Sequence, residues 1–102
     1  MIKLDPTDPI ESVLIDIVTT NRKKRADYAQ DGSIFSNFEQ AAFAAGTTVE
    51  QGIEYMIATK QARLVALRSN GRAPQNESVY DTKLDRAVYS VIALAYAKSE
   101  DE

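Results

Sequence analysis

The chain has 102 residues, a net charge of −3 and a hydrophobic fraction of 44%, which fit one globular domain. It contains neither cysteine nor histidine, so disulfides, thiolate chemistry, structural zinc and imidazole acid–base catalysis are excluded. Any bound metal would be a hard cation such as magnesium, held by carboxylates. The negative charge argues against a nonspecific duplex-DNA binder, but it permits a local basic pocket for a small phosphate ligand.

The apolar runs are too short to span a membrane, and the N-terminus lacks the layout of a signal peptide. We therefore expect a cytoplasmic protein with no membrane contact. No alternating strand pattern of useful length occurs, so the sequence predicts an all-α fold, a bundle of four helices in a single domain over 1–102. The core is expected to span about 8–98, and the acidic tail 99–102 to fray.

The first helix is predicted to begin after Asp8, with Glu11 at capping-box spacing, and to end before 31–33. Asn21 falls within its apolar stripe and Arg25 lies at the margin, so the inner face becomes polar toward the C-terminus. The apolar members of the stripe are Ile10, Leu14, Ile17, Val18 and Tyr28.

A short amphipathic segment over about 35–45, followed by Gly46, is predicted to be the second helix. The third helix is predicted over 47–69, because Thr47 and Glu50 have capping-box spacing. Its apolar stripe contains Val49, Ile53, Met56, Leu64 and Leu67.

Two cations interrupt that third stripe, with Lys60 near its middle and Arg63 at its edge. A buried cation needs a partner. The fourth helix, predicted from Asn76 or Ser78 to about Lys98 after a polar loop, offers carboxylates. They continue its core face (Leu84, Val88, Val91 and Ala95) toward the N-terminus and are Glu77, Asp81 and the flanking Asp85.

We therefore predict that Lys60 is largely buried and pairs with Glu77 or Asp81. Simpler readings stay open. Lys60 would then extend its ammonium to water along the core, Asp81 would only cap a helix, and the basic run 22–25 would be a solvated patch. A second face on the last helix predicts self-association; it consists of Tyr89, Ala93, Tyr96 and Ala97.

The order of four motifs resembles small phage-encoded MazG-like proteins, of the all-α nucleotide pyrophosphohydrolase superfamily. The resemblance covers about residues 10–96, and its last motif is the most specific. The motifs are Lys24-Arg25-Ala26-Asp27-Tyr28, Ser36-Asn37-Phe38, Lys60-Gln61-Ala62-Arg63-Leu64 and Glu77-Ser78-Val79-Tyr80-Asp81-Thr82-Lys83-Leu84-Asp85. It implies an oligomeric four-helix protein that binds or hydrolyses nucleotides. In the catalytic members, carboxylates from two helices hold magnesium ions.

This chain departs from the catalytic pattern, which has an E-x-x-E pair on the second core helix. The third helix here has Glu50 and Glu54, spaced by four, and presents Lys60 and Arg63 in place of that pair. The candidate metal ligands and catalytic acids are Glu77, Asp81, Asp85 and, for metal alone, Glu54. The candidate nucleotide- and phosphate-binding residues are Lys60, Arg63, Arg25, Asn21, Lys24 and Tyr28.

The residues together with the resemblance leave three functions open. The first is a magnesium-dependent pyrophosphohydrolase of (d)NTPs, with cations that neutralise phosphate charge in the transition state. The second is a catalytically inactive nucleotide-binding protein, with which a phage would sequester a nucleotide signal of host defence. The third is a helical interaction module whose internal ion pairs fix its packing.

Overall fold

A computed structural model describes residues 1–27, 35–70 and 79–101 of the chain. Within these ranges the protein contains four helices and no β-strand, which confirms the all-α prediction. The helices are α1 (Pro9–Asp27), α2 (Ser36–Ala45), α3 (Val49–Asn70) and α4 (Val79–Glu100). None of these helices, over the residues described, has the length and apolar character needed to cross a membrane.

α1 begins directly after the predicted cap residue Asp8, but Glu11 does not make the hydrogen bond that a capping box requires. One carboxylate oxygen of Asp8 accepts the N–H groups of Ile10 and Glu11, both at 3.0 Å, which satisfies two otherwise unpaired donors of the first turn. The Glu11 carboxylate accepts the N–H of Asp5 at 3.1 Å. Glu11 therefore stabilises the segment before the helix. In a capping box it would instead accept the N–H of Asp8.

The capping box of α3 lies one residue later than predicted. Thr48 and Gln51 each accept the other's backbone N–H through a side-chain oxygen, both at 3.0 Å. The prediction of Thr47 and Glu50 was wrong because Thr47 still belongs to the end of α2. Gly46 takes a left-handed conformation with φ of 71°, and the N–H of Thr47 bonds to an α2 carbonyl at 3.0 Å.

The acidic tail extends the last helix. α4 continues through Glu100, beyond the predicted end at Lys98, and the Asp101 N–H donates to a carbonyl of the last turn at 3.2 Å. The tail contains neither glycine nor proline, so no residue type in it stops the helix. The predicted helix start near Asn76 or Ser78 lies outside the described residues.

The α3–α4 hairpin contains most of the buried side chains. The helices run antiparallel, since the C-terminal part of α3 around Leu64 lies beside Val79 at the start of α4. Ile53 and Leu64 of α3 are buried, as are Thr82 and Val88 of α4. α2 packs against α3.

α1 lies along α4 in a parallel direction and leaves its apolar stripe largely open. Asp16 meets Tyr80, and further along both helices Lys24 meets Asp85. Ile10 is 74% exposed, and Leu14 and Val18 are each exposed by more than a third. The prediction of this stripe as a core face was therefore wrong for its outer part, because periodicity shows which residues share a face and not what covers it.

The second face predicted on α4 is partly covered within the same chain. Tyr96 packs edge-on against Phe35 with ring centroids 5.3 Å apart, and Tyr89 packs edge-on against Phe38 at 6.4 Å. Such aromatic pairs stabilise a packing beyond the area they bury. These two tyrosines therefore hold the start of α2 near α4, and they do not form the outer surface that the sequence predicts.

The contact of Tyr80 with Asp16 makes the docking of α1 sensitive to alkaline pH, at which the contact is lost. The phenol donates to the carboxylate, and this hydrogen bond raises the pKa of Tyr80. Because the folded pKa exceeds the unfolded one, the contribution to stability is complete below the ordinary tyrosine pKa of about 10 and is lost as pH rises through the raised value.

We expect the unfolding midpoint of the wild type to fall more steeply above about pH 10 than that of Tyr80→Phe. Urea titrations at a series of alkaline pH values measure the difference. Tyr96, whose pKa is also raised, mainly by desolvation, contributes equally to both proteins. Parallel pH profiles for the two proteins would contradict the role given to Tyr80.

Candidate functional site

Three helices bring charged side chains together at Asp85. One carboxylate oxygen of Asp85 on α4 lies 3.5 Å from the ammonium of Lys24 on α1. The other oxygen lies 3.3 Å from the ammonium of Lys60 on α3. The side chain of Asp85 is 21% exposed and that of Lys60 19%. The two lysines and Asp85 are called the lysine pair site below.

The burial predicted for Lys60 is confirmed, and its partner among the described residues is Asp85. The predicted pairing with Asp81 is not observed between the two described side chains, and the alternative partner Glu77 lies outside the described residues.

The antiparallel register of the hairpin places Lys60 opposite Asp85 and, one residue on, Gln61 within hydrogen-bond reach of Arg86. Asp81 lies one helical turn closer to the start of α4. The sequence could not fix this register, because several carboxylates repeat along one side of the helix.

An aromatic ring forms a second contact of Lys24. Its ammonium lies 5.4 Å from the ring centroid of Tyr89, a distance at which a cation is attracted to the ring face. Phe38 of α2 meets the same ring edge-on. Lys24 therefore contacts both a carboxylate and an aromatic ring. The sequence analysis missed the contact with the Tyr89 ring, although Tyr89 lies one turn after Asp85.

A large open groove borders the lysine pair site. Its volume is about 1240 Å³, and side chains of all four helices line it. From α1 come the polar side chains of Asn21, Arg22, Lys24 and Arg25. The apolar wall includes Ile17, Val18, Phe38, Met56, Val88, Tyr89, Val91 and Ile92. A ligand with an anionic end and an apolar or aromatic end matches this arrangement.

The other predicted ligand residues are more scattered. Asn21 is half-buried in the groove wall, and Arg25 is exposed at the same wall. Arg63 is exposed on α3, three residues after Lys60 and outside the groove lining. Tyr28, predicted beside them, lies outside the described residues.

The predicted metal ligands do not form a site from the residues that the structure describes. Over 1–27, 35–70 and 79–101, no three Asp or Glu side chains are close enough to hold one metal ion. Glu54 and Asp81 are exposed, and Asp85 is engaged by two ammonium groups. Glu77 lies outside the described residues.

Comparisons with protein-family models, with curated proteins and with solved structures found no match to this chain.

Proposed function

We propose that this chain is a MazG-like nucleotide-binding protein that binds phosphate groups at the lysine pair site. The observation that carries the proposal is the convergence of Lys24 and Lys60 on a single carboxylate beside an apolar groove. Two ammonium groups that share one carboxylate keep an excess positive charge. That excess, in a partly desolvated position, favours an anion.

The chemistry of the lysines suits a phosphate group. Each ammonium has three donors, and Asp85 occupies only part of them, so phosphate oxygens can accept the rest. Asp85 would then act as a positioning residue that holds two flexible lysines close together. Arg22 and Arg25, on the same wall of the groove, can bind further phosphates by charge-assisted hydrogen bonds.

The groove supports the nucleoside half of the ligand. A nucleobase needs an apolar, partly aromatic wall and a few polar groups to orient it. Phe38, Met56 and Tyr89 provide such a wall, and the Asn21 amide provides a donor and an acceptor. The resemblance to MazG-like proteins, to which Lys24 and Lys60 both contribute, favours the same ligand class.

Magnesium-dependent hydrolysis of (d)NTPs is the second candidate. Asp81 and Asp85 lie one turn apart on α4, so they are on one side of this helix, as a metal site requires. Their shared motif with Glu77 is the most specific part of the resemblance. For catalysis Asp85 would have to exchange its lysine partners for a metal ion.

The proposal includes self-association into a homo-oligomer and action inside the cell, where nucleotides are available. A phage protein that sequesters a nucleotide signal needs affinity and no turnover, which is the behaviour that two ammonium groups sharing one carboxylate support. A helical interaction module remains the outcome if no nucleotide binds.

The test is a thermal-shift screen of nucleotides, cyclic and ADP-ribose-type species included, followed by calorimetric titration in magnesium and in a chelator. We expect one nucleotide class to bind in the chelator. At about 100 times the dissociation constant it should add about 2.7 kcal/mol to the free energy of unfolding. Lys60→Met should weaken that binding by about tenfold or more.

Lys98→Met is the matched control, since Lys98 is exposed on α4 and about 20 Å along the helix from Asp85. It should bind like the wild type. If the wild type hydrolyses a nucleotide in magnesium and Asp85→Asn abolishes this turnover, the protein is the hydrolase and not a pure binding protein. Absence of binding by every nucleotide, with or without magnesium, would refute both. Equal affinity of Arg63→Ala and wild type would place the phosphates on the lysine pair without Arg63.

A further inference from the structure

The two lysines of the lysine pair site are restrained to different degrees. Lys60 comes from α3, which packs against α4 in the hairpin, and its side chain is 19% exposed. Lys24 comes from α1, and its side chain is 32% exposed. An ion pair at this exposure restrains a lysine weakly, because holding the long side chain in one geometry costs rotamer entropy. Repulsion from the Lys60 ammonium also opposes the position of Lys24, so a further contact has to keep Lys24 beside Asp85.

Tyr89 provides that further contact. The Lys24 ammonium lies over the Tyr89 ring, 5.4 Å from its centroid, and 3.5 Å from one carboxylate oxygen of Asp85. Because Tyr89 follows Asp85 by one turn of α4, the ring and the carboxylate approach Lys24 from the same side of one helix. The ring is itself restrained, since Phe38 of α2 packs edge-on against it with centroids 6.4 Å apart. Lys24 is thus attached to α4 at two points.

We infer that Tyr89 is a positioning residue of the phosphate site, whose ring holds the Lys24 ammonium where it can bind a phosphate oxygen together with Lys60. The inference rests on the proposed function and adds to it a residue that acts on the phosphates through Lys24. As part of the nucleobase wall, Tyr89 would affect only a ligand that has a base. As a positioning residue, it affects a phosphate ligand without one.

An aromatic ring suits this role better than a second carboxylate would. The ring attracts the ammonium through its quadrupole and adds no net charge, so the lysine pair site keeps its excess positive charge. A second carboxylate beside Lys24 would cancel the excess that favours an anion. The ammonium has three N–H donors, and the contacts with Asp85 and with the ring leave donor capacity for a phosphate oxygen.

Calorimetric titration with inorganic pyrophosphate in a chelator tests the inference, because this probe has no base. We expect Tyr89→Leu to weaken pyrophosphate binding by about fivefold, as the loss of a cation–ring contact predicts. Tyr89→Phe keeps an aromatic ring under the ammonium and should bind within about twofold of the wild type. In a Lys24→Met background, Tyr89→Leu should cause no further loss, since the cation on which the ring acts is gone.

The matched control is Tyr96→Leu. Tyr96 lies about two turns further along α4 and packs edge-on against Phe35 with centroids 5.3 Å apart. Its substitution therefore removes a similar aromatic pair between α4 and the start of α2, and it should leave pyrophosphate affinity within about twofold of the wild type. A loss in Tyr96→Leu equal to that in Tyr89→Leu would assign the effect to packing and overturn the inference.

A proton NMR spectrum of the free wild type gives a readout that does not depend on the folding of a Tyr89 variant. The ring current of Tyr89 should shift the Lys24 methylene protons next to the ammonium upfield, and the loss of these signals in Lys24→Met assigns them. Unshifted Lys24 signals overturn the inference, as does equal pyrophosphate affinity of Tyr89→Leu and wild type. A wild type that binds a nucleotide but not pyrophosphate overturns the inference alone, whereas no binding of either refutes the proposed function as well.

Discussion

Asp85→Asn should lower the free energy of unfolding by about 2 kcal/mol. Exposed ion pairs contribute up to about 1 kcal/mol, and removing one partner of a fully buried pair costs about 3–5 kcal/mol. Asp85 is 21% exposed and thus lies between these limits. The substitution also leaves Lys24 and Lys60 facing each other without the shared anion.

Urea denaturation at one protein concentration measures this effect, and Glu54→Gln is its control, as an acid-to-amide change at an exposed position of α3. The control should stay within about 0.5 kcal/mol of the wild type. Adding Lys60→Met to Asp85→Asn should recover part of the loss, because one of the two facing cations is removed. An Asp85→Asn protein as stable as the wild type would show that the lysine pair site contributes nothing to folding.

Ile53→Ala should have the largest effect on stability, about 3 kcal/mol. Ile53, on α3, is fully buried. Ala42, Leu64 and Val88 are the other buried apolar side chains in the part of the chain that the structure describes. With so few of them, neighbouring side chains can fill little of the resulting cavity, and the loss is a large fraction of the 5–15 kcal/mol typical of small domains.

The graded control is Ile53→Val, which removes one methylene and should cost about 0.5–1.5 kcal/mol. Val65→Ala, at an exposed position of the same helix, should be nearly neutral. Because self-association would add to apparent stability, all proteins must be compared at equal concentration. An Ile53→Ala cost no greater than that of Val65→Ala would mean that the hairpin is not the stabilising core.

The sequence predicted helices well where capping residues and glycine mark their ends, as at Asp8 and Gly46. It also identified Lys60 as a buried cation from one position on an apolar stripe. Both inferences depend on local chemistry within a turn or two. The capping box of α3 was misplaced by one residue because two threonines stand in a row, and only the hydrogen bond of Thr47 to α2 distinguishes them.

Contacts between helices were harder to predict from the sequence. The choice of Asp85 as the partner of Lys60 depends on the register between two helices, which no single-helix pattern determines. The position of Lys24 depends on how α1 lies along α4. The open stripe of α1 shows the same limit, because Ile10 and Leu14 have core spacing but remain 74% and 41% exposed.

The contacts that attach α1 to α4 make phosphate affinity depend on ionic strength. α1 contacts α4 through the polar pairs Tyr80 with Asp16 and Lys24 with Asp85, whereas the hairpin has buried apolar side chains beside its own ion pair of Lys60 with Asp85. Dissolved ions weaken the charged contacts, and the apolar burial in the hairpin is almost unaffected. Ionic strength would therefore act on phosphate affinity twice, by screening the ligand's charge and by loosening the helix that supplies one of its two lysines.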